Sequence, residues 1–138
     1  MRNHDLINLY RTGRVEIIRD GKYHNDDGPA VVTEKGTIKY YRHGRLHRAG
    51  APAIIHPEGT VRWYFNGRLH RDDGPAVVYA NGFRTWYKEG RLHREDGPAV
   101  EGFNGGEYYL RNRRLNVRSL RGFKEKLKLF YIEQIMAD

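Results

Sequence analysis

The chain has 138 residues, enough for one ordinary domain and too few for two, which excludes a large two-domain enzyme. Lys and Arg number 25 against 17 Asp and Glu, a formal charge of +8 that favours an acidic partner. Without cysteine there is no disulfide framework, thiolate zinc site or cysteine nucleophile. No apolar run approaches the ~18 residues a membrane span needs, so a soluble, unprocessed, cytoplasmic protein is expected.

From the N-terminus, Met1 to Tyr10 interrupts its apolar residues with polar ones, and Gly13-Arg-Val-Glu-Ile-Ile-Arg-Asp20 supplies the second half of a repeating unit. The first complete unit begins at Gly21-Lys-Tyr-His24. Gly-Arg-Leu-His then recurs at 44–47, 67–70 and 90–93, so His24, His47, His70 and His93 are spaced by 23 residues. The same spacing relates Pro29, Pro52, Pro75 and Pro98, and also Gly13, Gly36, Gly59, Gly82 and Gly105. Units run near 21–43, 44–66, 67–89 and 90–112, and Arg113-Arg-Leu-Asn116 keeps the Gly-Arg-Leu-His columns before the register is lost. Degenerate end units are expected of a stacked array, whose outer faces must meet water.

Within a unit, Ala30-Val-Val-Thr33 and Thr37 to Arg42 are short, β-branched and aromatic. Glu34-Lys-Gly36 supplies the turn between them, so each unit is expected to be one β-hairpin. Side-by-side stacking would set equivalent residues about 4.8 Å apart. The sheet would be held by the columns Val31, Ile54, Val77, Val100 and Ile17, Tyr40, Trp63, Trp86, Tyr109. Ile18, Tyr41, Tyr64, Tyr87 and Leu110 fall on the opposite face. The fold class is mainly β, an elongated single-layer twisted sheet over residues 1–118. After it the period changes: Leu120, Phe123, Leu127, Phe130, Tyr131 and Ile135 recur at three and four residues. This predicts an amphipathic capping helix over 119–138, with Gly122 in its first turn. Leu129, Ile132 and Met136 form a second apolar set suited to a partner or dimer contact.

The unit Trp-Tyr-x-Asn-Gly-Arg-Leu-His, at fixed 23-residue spacing, resembles the MORN (membrane occupation and recognition nexus) repeats. The usual core Asn-Gly-x-x-His-Gly-x-Gly is replaced here by His70-Arg-Asp-Asp-Gly-Pro-Ala76, a variant similar to repeats in proteins of large DNA viruses and tailed phages. The resemblance implies stacked β-hairpins and a non-catalytic binding or assembly role, with lipid, protein and self-association all claimed for members. It carries over no catalytic residue.

His70 with Asp72 and Asp73, and His93 with Glu95 and Asp96, have metal-ligand chemistry. In the second unit both acid positions are lost to Ala49 and Gly50, which favours a structural job in the turns and no metal. Asp73-Gly-Pro is not a phosphate loop, because no Gly-rich run leads into a helix. Gly28, Gly74 and Gly97 precede proline, and Ala51 takes that place in the second unit. Either that turn is rearranged or φ is negative at all four positions.

The basic residues align. Lys22, Arg45, Arg68, Arg91 and Arg114 form one column, Arg48, Arg71 and Arg94 a second, and Arg19, Arg42, Lys88 and Arg111 a third. Stacking turns columns into stripes that suit an anionic partner, unless turn carboxylates neutralise them. The expected binding residues are Arg45, Arg68, Arg91, Arg114, Arg48, Arg71 and Arg94. Tyr41, Tyr64, Tyr87, Leu129, Ile132 and Met136 are the expected interface. No active site and no cofactor are expected. The reading is a non-enzymatic binding module, in a viral setting one that binds and inhibits or recruits a host protein in the host cytoplasm. A nucleic-acid-binding protein using the arginine stripes is the alternative. Partners rank as protein, nucleic acid and anionic membrane surface, with a homodimer through the helix as a further expectation.

Overall fold

A computed structural model describes residues 5–137, so positions 1–4 of the expected array and position 138 of the expected helix lie outside the described residues. The chain is mainly β, with eighteen short strands and one helix, Leu120–Ala137, among the described residues. Twelve strands form one long, open antiparallel sheet whose order follows the chain. Each repeat contributes two strands to it, such as Val31–Val32 and Ile38–Lys39, joined through Gly36 at φ +92°. No helix among the described residues is long and apolar enough to cross a membrane.

The remaining half of each unit folds as a separate two-stranded ribbon. Tyr41–Arg42 pairs with Arg45–Leu46, and Tyr64–Phe65 and Tyr87–Lys88 pair with Arg68–Leu69 and Arg91–Leu92 in the same way. The ribbon turns need positive φ at both central residues: His43 +50° and Gly44 +81°, Asn66 +50° and Gly67 +82°, Glu89 +50° and Gly90 +82°. This is the turn whose twist matches that of paired strands. A unit is therefore two hairpins and not one. Two strands of sheet separate equivalent residues, which lie about 9.6 Å apart, twice the expected 4.8 Å.

Successive ribbons stack through backbone bonds, as when Gly67 N–H donates to Leu46 O (2.8 Å) and Arg48 N–H to Tyr64 O (3.2 Å). The tightest packing is a column of small residues, Ala30, Ala53, Ala76 and Ala99, each at most 1% exposed, flanked by buried Val31, Ile54 and Val77.

The array departs from its repeat at both ends. Leu6–Leu9, which the sequence pattern does not predict as a strand, pairs along Val15–Arg19 as the first strand of the sheet. At the other end the fourth unit is one residue shorter. Val100 pairs with Glu107, whereas the preceding unit pairs Val77 with Thr85, an interval of seven residues against eight. Gly106 makes this possible, because a Cβ there would lie 2.6 Å from Pro98. Downstream residues therefore slip by one column. Arg94 N–H donates to Tyr109 O as Arg71 N–H does to Tyr87 O, so Tyr109 belongs with Tyr41, Tyr64 and Tyr87 and not with the tryptophans. Asn112, at φ +68°, takes the glycine position of the last ribbon turn.

The slip places Leu115 where the earlier units carry histidine. Leu115, Leu110 and Phe123 form a buried cluster, with Tyr108, Val117, Leu127 and Phe130 packed around it. The helix starts at an N-cap: Ser119 Oγ accepts the N–H of Gly122 (3.1 Å). It lays Phe123 against Tyr108, their ring centroids 4.7 Å apart.

Candidate functional site

The polar residues divide into those the architecture uses and those it leaves free. Each repeat histidine is a cross-link between successive ribbons. His24, His47 and His70 accept at Nδ1 the backbone N–H of His43, Asn66 and Glu89, nineteen residues on, at 2.9–3.0 Å. His93 accepts that of Arg111, eighteen residues on because of the shortened unit. With Nδ1 accepting, the ring proton sits on Nε2. It is donated to Asp72 (2.9 Å) and Glu95 (2.8 Å), and His24 Nε2 lies 2.8 Å from Asp26 Oδ1 and 2.9 Å from Arg19 Nη1. The partner is thus the acid two residues after the histidine, and the imidazole secures the turn of the following ribbon and not the loop that the histidine itself opens. His47 lacks this acid; burial, then the charge of Arg42, pushes its pKa down.

Arg48, Arg71 and Arg94, expected as binding residues, are latches. Their guanidinium carbons lie 3.9, 3.9 and 3.8 Å above the rings of Tyr40, Trp63 and Trp86. Each Nη1 donates to the carbonyl four residues on, of Pro52, Pro75 or Pro98. Arg71 and Arg94 also bond Asp73 and Asp96 through Nε. A planar cation between an aromatic face and a carbonyl is well held, worth about 0.5–2 kcal/mol from the ring alone. The glycine before proline follows from this. A Cβ on Gly74 or Gly97 would lie 2.8 or 2.9 Å from the guanidinium carbon of Arg71 or Arg94. Neither has positive φ, and the Ala51 turn is rerouted through Gly50 at φ +74°.

Arg45, Arg68 and Arg91 are exposed and make no ion pair among the described residues. The stems of Arg45 and Arg68 lie across Gly67 and Gly90 of the next turns, with Arg45 Cβ 3.7 Å and Arg68 Cβ 3.8 Å from where a glycine Cβ would stand. This fixes the direction of the stripe. The one-residue slip gives its last place to Arg113; Arg114 lies outside it, 3.4 Å from Glu107. In the third column, Arg19 is 7% exposed and bound to Asp5 (2.6 Å) and Asp26 (3.0 Å), while Lys88 is exposed and makes no ion pair among the described residues.

The free cations line a groove along the ribbon row. Its first stretch, about 410 Å³, is bordered by Arg45, Phe65 and Arg68. The next, about 570 Å³, shares Arg68, His70 and Glu89 with it and reaches Arg91, Phe130 and Tyr131. The last, about 240 Å³, shares Arg111, Phe130 and Gln134 and ends on Leu110, Leu115 and Leu129. The helix forms the far wall: Tyr131 donates to Glu95, and Arg111 Nη1 donates to Gln134 Oε1 (2.7 Å). Burial opposes ionisation of Glu95, but hydrogen bonds from Tyr131 and His93 outweigh it and hold its pKa below the usual carboxyl range.

Of the expected interface, Tyr41, Tyr64 and Tyr87 are half-buried opposite Leu46, Leu69 and Leu92, and burial pushes the phenols of Tyr41 and Tyr87 up. Leu129, Ile132 and Met136 are exposed, and only Leu129 borders the groove. Sequence reasoning missed Arg113, Phe130 and Tyr131 as groove residues. The doubled Gly105-Gly106 and the loss of x-Gly at Asn112-Arg113 are the signals of the slip that places them. No protein-family model matches the chain, and no curated protein matches it.

Proposed function

We propose that the chain is a non-enzymatic, MORN-like repeat module that binds an acidic surface of a partner protein along the ribbon groove. The observation that carries the reading is the separation of two arginine columns. Arg48, Arg71 and Arg94 are consumed by rings and carbonyls, while Arg45, Arg68 and Arg91 stand in register with no counter-ion among the described residues. His24, His70 and His93 and their carboxylate partners are spent on cross-links, which favours a structural over a catalytic role for them.

Nucleic acid is the second reading. A single-stranded ligand wants free aromatic faces on which to stack bases. Here Tyr40, Trp63 and Trp86 are capped by arginines, and Phe65 and Tyr131 are the exposed rings that line the groove among the described residues, too few for a base on every repeat, which favours protein. The resemblance to viral and phage repeats makes a host protein the natural target for binding, inhibition or recruitment.

Affinity capture with the native chain and with the Arg45→Glu, Arg68→Glu, Arg91→Glu triple variant, each with and without nuclease, tests this. Expected is a protein retained by the native chain after nuclease and lost by the variant at an unchanged melting temperature. Equal capture by both chains overturns the reading, and loss of capture on nuclease treatment favours nucleic acid.

A further inference from the structure

Resting on the reading of the groove as a protein-binding surface, we propose that its occupant is an extended, proline-rich acidic segment of the partner. The segment carries a carboxylate at every third residue and a bulky apolar residue at one end. The spacing argument comes first. Arg45, Arg68 and Arg91 hold one position of successive ribbons, and each unit advances the long sheet by two strands, a repeat of about 9.6 Å at ~4.8 Å per strand. A polyproline II segment rises ~3.1 Å per residue with three residues per turn, so residues i, i+3 and i+6 return to one face every ~9.3 Å. A β-strand would turn i and i+3 to opposite faces, and an α-helix at ~1.5 Å per residue would need six or seven residues per step.

The backbone argument agrees. The ribbons spend N–H and C=O groups on stacking, Gly67 N–H to Leu46 O and Gly90 N–H to Leu69 O both at 2.8 Å. That leaves little edge for an added strand, and a polyproline segment asks for none. Such segments dock between aromatic side chains. Phe65, 46% exposed, and Tyr131, 45% exposed, stand along the groove.

The two ends differ. The Arg45 end is polar, whereas the far end is walled by Leu110, Leu115, Leu129 and Phe130 beneath Arg113 and Lys126. An aliphatic anchor fits there, with a carboxylate nearby. Glu89 is the acid that lines the basic stretches without a side-chain partner; Asp72 and Glu95 already hold His70 and His93.

Fluorescence anisotropy on the full chain tests the proposal with labelled peptides of four Glu-Pro-Pro triplets, made with Leu at either end and without it. A composition-matched isomer carries its four Glu side by side, and a thymidine oligonucleotide has equal charge. Expected is at least about tenfold tighter binding of the spaced peptide than of its isomer, and a further gain from Leu at one end only. Arg45→Gln, Arg68→Gln, Arg91→Gln should abolish the spacing preference, and Leu129→Asp only the gain from Leu. Should the triple variant not fold, Arg68→Gln alone should weaken the spaced peptide about threefold. Equal affinity for the two isomers, or no binding of any peptide, overturns the proposal and leaves the protein-binding reading to the capture experiment. Tighter binding of the oligonucleotide than of either peptide overturns both.

Discussion

The array must be closed at two ends, and it closes them with opposite chemistry. At the N-terminal end Leu6–Leu9 adds a strand, and the closure is polar. Arg19 takes both carboxylate oxygens of Asp5, at 2.6 and 2.9 Å, and reaches Asp26. Glu16, 8% exposed, accepts from Arg14 Nε, Tyr23 Oη and Tyr10 Oη at 2.8–2.9 Å. At the C-terminal end the helix drives Phe123, 0% exposed, onto Leu110 and Leu115, and the repeat histidine gives way to leucine. The difference teaches where each kind of closure works. A strand extends the ladder through its backbone, and here the side chains around it are held by charged and hydroxyl partners at a polar rim. A helix has no ladder to extend and covers the last ribbon with apolar side chains.

The largest expected effect breaks the apolar end. Phe123→Ala leaves a cavity beside Tyr108 and Leu115 and should destabilise by about 3–5 kcal/mol, read as the shift in denaturation midpoint. If the helix only decorates the array, the midpoint will hardly move. Next, the two ends should part company in acid. Arg14, then Tyr23 and Tyr10, hold the Glu16 carboxyl down at about 2, and His24, then Arg19, hold Asp26 at about 2. Both are ordinarily near 4 in an unfolded chain, so their stabilisation is complete above about pH 5 and is lost as pH falls towards 2. Amide exchange in Val15–Arg19 should accelerate over that window before exchange in Arg113–Leu115 does. Simultaneous loss at both ends would show that the polar closure is not a separate unit.

Much of this was readable from residue columns. The 23-residue period, the Gly36-type turns, the open sheet and the C-terminal helix follow from spacing and from β-branched and aromatic patterning. What escaped depends on partners far away in sequence. Leu6, Ile7 and Leu9 are 64, 47 and 75% exposed, so no alternation of burial marks the strand; it exists because Val15–Arg19 offers an edge. Arg48, Arg71 and Arg94 look like Arg45, Arg68 and Arg91 in sequence. Only the fold shows that three of them cover rings. The slip at Gly105-Gly106 was hidden because Arg114 and Leu115 still match the Gly-Arg-Leu-His columns by residue type while standing one place further along.

Between the ends, the histidine cross-links set the coupling of one ribbon to the next. His70→Ala removes the acceptor for Glu89 N–H and the donor to Asp72. A cost of about 1–3 kcal/mol is expected in chemical denaturation, at the lower end because the site is partly exposed. A cost near zero would mean that the backbone bonds between ribbons suffice without the ring.

The smallest effect sharpens the comparison by making the second unit resemble its neighbours. His47 keeps its bond from Asn66 N–H but has Ala49 where His24 and His70 have Asp26 and Asp72. Phe65 packs on its ring, with centroids 4.3 Å apart, and burial lowers its pKa. Ala49→Asp supplies the missing acceptor for Nε2–H at an exposed position, so no other packing is disturbed. Two changes should follow together: a gain of up to about 1 kcal/mol in stability, and an upward move of the His47 pKa followed by NMR titration. The signs are linked. A carboxylate beside the ring favours its charged form, so the gain should be larger below the His47 pKa than above it and should shrink as pH rises. A gain independent of pH would assign the benefit to the loop backbone around Gly50 rather than to the pair, and no gain at all would mean that Phe65 already does for His47 what the acid does for His24.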